Sequence, residues 1–133
     1  MRTVSAPLGK AMYVASMLDK SWLQNEQGKL YGQSLKNPDY VFCKLWGLIT
    51  DLRNLRTAVA RVARNQGRRT AGVDGVTVRT ALSQGVDAFV ASIRAELRSG
   101  TYRPKSVRRV LIPKPGQPGK FRPLGIPTVA DRG

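Results

Sequence analysis

Apolar residues recur at spacings of three and four over Leu45, Leu48, Ile49, Leu52, Leu55, Val59 and Val62. On a helix this spacing makes one apolar stripe. Asn37-Pro38-Asp39, just ahead, has the residues of a helix start: a capping side chain, a proline suited to the first helical position and an acid in the first turn. The pattern predicts helix over residues 38–66, with a break allowed at Thr50-Asp51 and a stop at Gly67. A second stripe, Val86, Phe89, Val90, Ile93 and Leu97, predicts a helix over residues 86–99 that ends at Gly100. The period then changes. Val107 to Ile112 carries β-branched residues and reads as a strand, and Lys120 to Ile126 reads as its partner, with Leu124 and Ile126 on one parity. Prolines and glycines between them mark a turn. The result is an antiparallel hairpin over residues 105–126, with the helix 86–99 expected beneath it. Asp74-Gly75, flanked by Val73, Val76 and Val78, signals a loop or short hairpin. Residues 1–36 show no clean periodicity and are expected to form a weakly structured leader ahead of a region covering residues 37–133. The fold class is α+β.

Charge changes this picture most. The 133 residues hold 23 Lys and Arg against 8 Asp and Glu, a formal net charge of +15. An excess of that size points to a polyanionic partner. On the first stripe's helix, Arg53, Arg56, Arg61 and Arg64 fall opposite the apolar side. A solvated face is the usual fate of such charges. The scarcity of acidic partners favours RNA contact here. Arg68 and Arg69 follow near the helix's negative end. The hairpin carries Arg108 and Arg109 on one strand and presents Lys114, Lys120 and Arg122 at its tip and sides. Lys supplies a mobile charge and Arg a planar fork, which together suit a phosphate-rich ligand.

Other chemistry is excluded by composition. The chain has no histidine, hence no histidine base or histidine-containing zinc site, and its one cysteine, Cys43, rules out an internal disulfide. Cys43 is expected to be a small buried residue in a reducing, cytoplasmic setting. No apolar run approaches the length of a membrane span. Gly116 to Lys120 fails as a nucleotide-binding P-loop, because Phe121 stands where a metal-binding Ser or Thr is required. Nucleotidyl transfer needs closely placed carboxylates to hold divalent metals. After Asp74 only Asp87, Glu96 and Asp131 remain, so no catalytic residue and no metal ligand is expected.

Ile112-Pro113-Lys114-Pro115, then Arg122-Pro123-Leu124-Gly125-Ile126-Pro127-Thr128, then Ala130-Asp131-Arg132, resembles the first block of group II intron reverse transcriptases, or maturases. Ala71-Gly72-Val73-Asp74-Gly75-Val76 resembles the block before it, and Leu97 to Pro104 the joining segment. The resemblance covers roughly Leu45 to Arg132. It implies the N-terminal and fingers region of an RNA-directed DNA polymerase, with the palm absent, so a chain that is not catalytic alone. It implies that Lys114 and Arg122 touch the triphosphate of an incoming dNTP. It implies that the Asp74 loop lies near the template, with Arg79 on the template backbone. The partners it implies are group II intron RNA, template nucleic acid and, in a complete enzyme, dNTP, Mg2+ and a palm from the same or a separate chain. The other reading is a non-enzymatic, basic RNA-binding module.

Overall fold

The computed structural model describes the backbone of residues 6–132 and the side chains of residues 17–132. In chain order the elements are α1 (Ala6–Lys36), α2 (Leu45–Ile49), α3 (Leu52–Arg64), a 3-10 turn (Gln66–Arg69), α4 (Val78–Ala81), α5 (Val86–Ser99), β1 (Arg108–Pro113), β2 (Phe121–Ile126) and a closing 3-10 turn (Ala130–Arg132). The α+β class follows directly. The chain divides into two compact units, Met1–Ala60 and Arg61–Gly133. Among the described residues, no helix is long and apolar enough to cross a membrane.

The first unit departs most from the sequence pattern. The expected weakly structured leader is instead α1, a helix of 31 residues; the leader's first five residues lie outside the described range. Scattered apolar residues do not forbid a helix whose interior lacks proline and whose glycines are few. Asn37-Pro38-Asp39 does not start a helix. The Asn37 side chain accepts from the Asp39 amide at 3.2 Å, and the Tyr40 amide closes a turn onto the Asn37 carbonyl at 3.0 Å. Such a local side-chain bond competes with the helix, and the next helix waits until Leu45. The break at Thr50-Asp51 is real. Fully buried Thr50 turns its hydroxyl back to the Trp46 carbonyl at 2.9 Å, and Asp51 accepts from the Arg53 amide at 2.8 Å as the cap of α3. Asn54 then donates to the Ile49 carbonyl left over at the end of α2, at 2.9 Å. Cys43 is exposed rather than buried; it lies outside the helices, in a segment where Tyr40 packs edge-on to Phe42 with ring centroids 5.0 Å apart.

In the second unit, α3 ends at Arg64 and the chain passes through the Gln66–Arg69 turn, so Gly67 lies inside that turn rather than at a helix stop. Val62, Val78 and Val129 form the buried cluster, with Ala63, Ala81, Leu82 and Phe89 packed on it. Helix α5 joins this cluster through Phe89; it was expected beneath the hairpin, whose Leu111, Phe121 and Leu124 instead remain exposed. Thr77 caps α4 by accepting from the Thr80 amide. Gly100 ends α5 at φ +72°, the left-handed conformation that suits glycine at this place.

Candidate nucleic-acid interface

The hairpin is built by a simple ladder. Arg108 faces Ile126, Val110 faces Leu124 and Ile112 faces Arg122, while Leu111 faces Pro123 and Pro113 faces Phe121. The Lys114 amide donates to the Lys120 carbonyl at 2.9 Å. This fixes the even-numbered residues as the ones whose backbone groups point into the ladder, and the odd-numbered ones as pointing out. Pro113 and Pro123 are odd. Their missing N–H groups would have faced outward, so two prolines sit in strands without breaking a ladder bond.

Side chains follow the same parity, because opposite residues share a face. Arg108, Val110, Ile112, Leu124, Arg122 and Ile126 lie on the even face, and the strand period carries Lys114 and Lys120 to the same side at the tip. Lys114, Lys120 and Arg122 are thus neighbours on one exposed end of the hairpin. The tip is closed by bonds from the Gln117 amide to the Lys114 carbonyl at 3.3 Å and from the Lys120 amide to the Gln117 carbonyl at 3.1 Å. These bonds shape the turn without using any cationic side chain. The odd face carries Val107, Leu111, Pro113, Phe121 and Pro123, with Arg109 its one cation.

What fixes the hairpin's base is a network that sequence reading did not single out. Asp131 receives the Tyr102 hydroxyl on Oδ1, and on Oδ2 it receives the Lys105 amide at 3.0 Å and the Thr128 hydroxyl at 2.8 Å. Burial works against its charge, but these donors prevail and hold the Asp131 carboxyl below the usual range. Burial, reinforced by the Asp131 bond, pushes the Tyr102 hydroxyl well above its ordinary value. Arg132 next door gathers three carbonyls: Gly67 at 3.2 Å, Thr70 at 2.8 Å and Pro127 at 3.0 and 3.2 Å. Gly72 passes so close that a Cβ there would meet the Thr128 backbone at 2.8 Å. Arg108 donates to the Ala71 carbonyl at 3.0 Å. Asp74 turns its own loop by accepting from the Val76 amide at 3.0 Å and lies 4.0 Å from Lys105. The Ala71–Val76 loop and both ends of the hairpin are therefore tied to the Ala130–Arg132 turn. The signal was present in the Ala-Asp-Arg string; its role as a brace was not, because Tyr102, Lys105, Thr70 and Gly67 lie 26–65 positions away.

The predicted cations divide into two kinds. Arg53 bonds Asp51 through Nε at 3.0 Å and Nη2 at 2.9 Å and lies 3.9 Å over the Trp22 ring. Arg56 grips Asp19, whose side chain is 9% exposed, at 2.7 and 3.2 Å. Both hold the first unit together, so the expected arginine strip does not stand free at its beginning. Arg61, Arg64, Arg68, Arg69, Arg79, Arg109, Lys114, Lys120 and Arg122 are exposed. The Gln66–Arg69 turn and α4 are neighbours, which brings the segments bearing Arg68, Arg69 and Arg79 together in the second unit.

The carboxylates do not fit a divalent metal. Among the described residues, no three His, Cys, Asp or Glu side chains are grouped to hold one. Asp19, Asp51 and Asp131 are engaged by arginines or by the brace, and Asp74 shapes its own loop.

No family model matches the chain. Over 106 residues, 80% of its length, the chain is 40% identical to Protein YkfC of Escherichia coli K12. Over 103 residues it is 33% identical to the group II intron-encoded protein LtrA of Lactococcus lactis subsp. cremoris, and to the same protein of strain MG1363. The aligned part spans 27% of YkfC and 16% of LtrA.

Proposed function

We propose that this chain provides the N-terminal and fingers region of a group II intron RNA-directed DNA polymerase or maturase. In this reading it binds intron RNA and template through the exposed cations of its second unit, and Lys114 and Arg122 meet the triphosphate of an incoming nucleotide. The observation that carries the reading is the shared face of Lys114, Lys120 and Arg122 at the hairpin tip, in a chain similar to an intron-encoded protein over 74% of its length. Three cations around a hydrogen-bonded turn can neutralise a polyphosphate, and Arg122 adds the planar fork that a lysine lacks. The chain's carboxylates support a role that is not catalytic alone, with Mg2+ held by residues outside it. The same exposed cations also serve the second reading, a non-enzymatic RNA-binding module, in which they hold RNA without taking part in nucleotide addition.

The test pairs a salt-titrated RNA-binding assay with single-nucleotide incorporation in a palm-containing version. Removing Arg68, Arg69 and Arg79 together is expected to weaken RNA binding and flatten its salt dependence by roughly two to three in the logarithmic slope. Replacing Lys114 or Arg122 is expected to impair incorporation far more than RNA affinity, and Arg122→Lys is already harmful. Hairpin variants that lose RNA affinity yet incorporate normally when saturated with template would refute the triphosphate assignment.

A further inference from the structure

The hairpin tip reads Lys114-Pro115-Gly116-Gln117-Pro118-Gly119-Lys120, a Pro-Gly pair set twice between two lysines. Each pair is the centre of its own turn. The Gln117 amide closes the first onto the Lys114 carbonyl at 3.3 Å, and the Lys120 amide closes the second onto the Gln117 carbonyl at 3.1 Å. Gly116 stands at φ +69° and Gly119 at φ +78°. Proline, whose ring holds φ at about −65°, at the second position and a positive φ at the third define a type II turn. The tip is therefore two type II turns end to end, sharing Gln117.

The lysines that bracket these turns are held in an unfavourable arrangement. The Lys114 amide donates to the Lys120 carbonyl at 2.9 Å, so the strand register runs one pair beyond Pro113 and Phe121. Lys114 faces Lys120 directly and stands diagonal to Arg122. Like charges placed opposite one another on a ladder repel. All three residues are exposed, and among the described residues no carboxylate pairs with any of them. A loose connection of the same length would let the lysines separate. Two prolines that preset φ, each followed by a glycine that accepts a positive φ, remove most of the conformations in which that happens.

We propose that Pro115-Gly116 and Pro118-Gly119 are positioning residues: their two turns hold Lys114 opposite Lys120 against the repulsion, so that a polyphosphate meets a cationic site already assembled. This rests on the nucleotide reading of Lys114 and Arg122 and deepens it, by assigning to four uncharged residues the order that lets three cations act on one ligand. A site assembled in advance spares the ligand the entropy of gathering its parts, and the bound phosphates offset the repulsion.

A Cβ at Gly116 or Gly119 would meet no heavy atom within 4 Å beyond its chain neighbours. An alanine there is opposed by the positive φ alone, and a D-alanine, which prefers positive φ, is not opposed. The experiment titrates the full chain with inorganic tripolyphosphate, without magnesium and at fixed ionic strength, by calorimetry. Amide exchange at Val110 and Leu124 gives the folded fraction of the hairpin. At equal folded fraction Gly119→Ala is expected to weaken binding about tenfold, and Gly119→D-Ala, made by ligating synthetic segments, to restore it to within about twofold. Pro115→Ala, which frees φ without opposing it, is expected to weaken binding about two- to threefold. A purely structural role would lower the folded fraction and leave the affinity of the folded chain unchanged, and that result would overturn the proposal. So would equal weakening by Gly119→Ala and Gly119→D-Ala. If Gly119→Ala opens the ladder itself, Pro115→Ala decides instead, and an unchanged affinity overturns the proposal. Lys114→Gln separates the proposal from the reading beneath it. Weakened binding by Lys114→Gln beside unchanged binding by Gly119→Ala discards the role of the turns and keeps the nucleotide site, whereas unchanged binding by Lys114→Gln discards both.

Discussion

The two units use arginine in opposite ways. Residues 1–60 carry 8 Lys and Arg against 4 acids, a formal +4, and residues 61–133 carry 15 against 4, a formal +11. In the first unit, Arg53 and Arg56 meet Asp51 and Asp19 and act as internal clasps. In the second, Asp131 is occupied by a tyrosine, a threonine and a backbone amide, and Arg132 spends its donors on carbonyls. Arg68 and Arg69, Arg79, and the tip cations Lys114, Lys120 and Arg122 are exposed. The lesson is that a basic helix face becomes a binding surface or a structural clasp according to whether a carboxylate arrives from elsewhere in the fold, and excess charge alone does not decide it.

The largest expected effect lies in the second unit's brace. Gly72→Val places side-chain atoms where a Cβ already meets the Thr128 backbone at 2.8 Å and the Pro127 carbonyl at 2.9 Å. Backbone cannot swing aside as a side chain can, so the substitution is expected to cost about 3 kcal/mol. Hydrogen exchange would show faster opening across residues 61–133 and unchanged protection in α1. Equal loss in both units would break the contrast and mean that they unfold as one.

Asp131→Asn comes next, at about 2 kcal/mol, because a neutral amide accepts the same donors more weakly and its NH2 opposes at least one of them. The pH dependence has a definite sign. The folded carboxyl titrates below its ordinary value, so the unfolded chain binds the extra proton first. The contribution is present above the ordinary carboxylate pKa of about 3.9 and is lost as pH falls below it toward the folded value. Tyr102 works at the other end: its folded value is raised, so its contribution is full below the ordinary phenol pKa of about 10 and fades as pH rises past it. Thermal melts should therefore decline at both extremes, and Asp131→Asn should flatten the acidic decline. An unchanged acidic limb would remove Asp131 from the stability of this unit.

How much of this was legible beforehand varies by region for physical reasons. The α5 stripe and the hairpin were readable, because helical period, strand parity and turn residues are local properties. Gly100 announced its own left-handed cap. The break at Thr50-Asp51 was visible as a cap signal. The helix over Ala6–Lys36 was hidden, since a helix with no single apolar side leaves no periodic trace. Asn37-Pro38-Asp39 misled because the same residues that cap helices also close turns, and only the following Tyr40-Val41-Phe42, poor helix formers, tip the balance. The tip cations Lys114, Lys120 and Arg122 could be named in advance and their common face follows from parity. The clasp role of Arg56 could not, since Asp19 is 37 positions away, and neither could the brace around Asp131.

Arg56→Gln sharpens the comparison directly. It leaves Asp19, largely buried, with a neutral partner in place of a charged fork, and is expected to destabilise residues 1–60 by about 1–2 kcal/mol, a value reduced from that of a fully buried pair because Arg56 is partly exposed. RNA affinity and its salt slope should scarcely change. Removing Arg68 and Arg69 should do the reverse, weakening RNA binding at unchanged melting temperature. If Arg56→Gln lowers RNA affinity as much as the Arg68 and Arg69 pair does at equal folded fraction, the clasp is also a contact and the division between the units fails.

The smallest effect is expected at Cys43, and its size is informative. A thiol buried among apolar neighbours would resist labelling and lose stability when replaced by serine, because a hydroxyl would then be taken out of water. Here Cys43 is exposed, with its Sγ 3.6 Å from the Val41 carbonyl, in the segment between α1 and α2. Cys43→Ser should change stability by less than about 0.5 kcal/mol. A maleimide should react with the native chain nearly as fast as with the denatured one, since accessibility sets the difference between the two. Val41, 74% exposed, and Trp46, 53% exposed, flank it, so the label also reports on this surface. A native labelling rate many times slower than the denatured rate would mean that the segment is covered in solution, and the first unit would then have an interface of its own, built on apolar side chains rather than on the cations that mark the second.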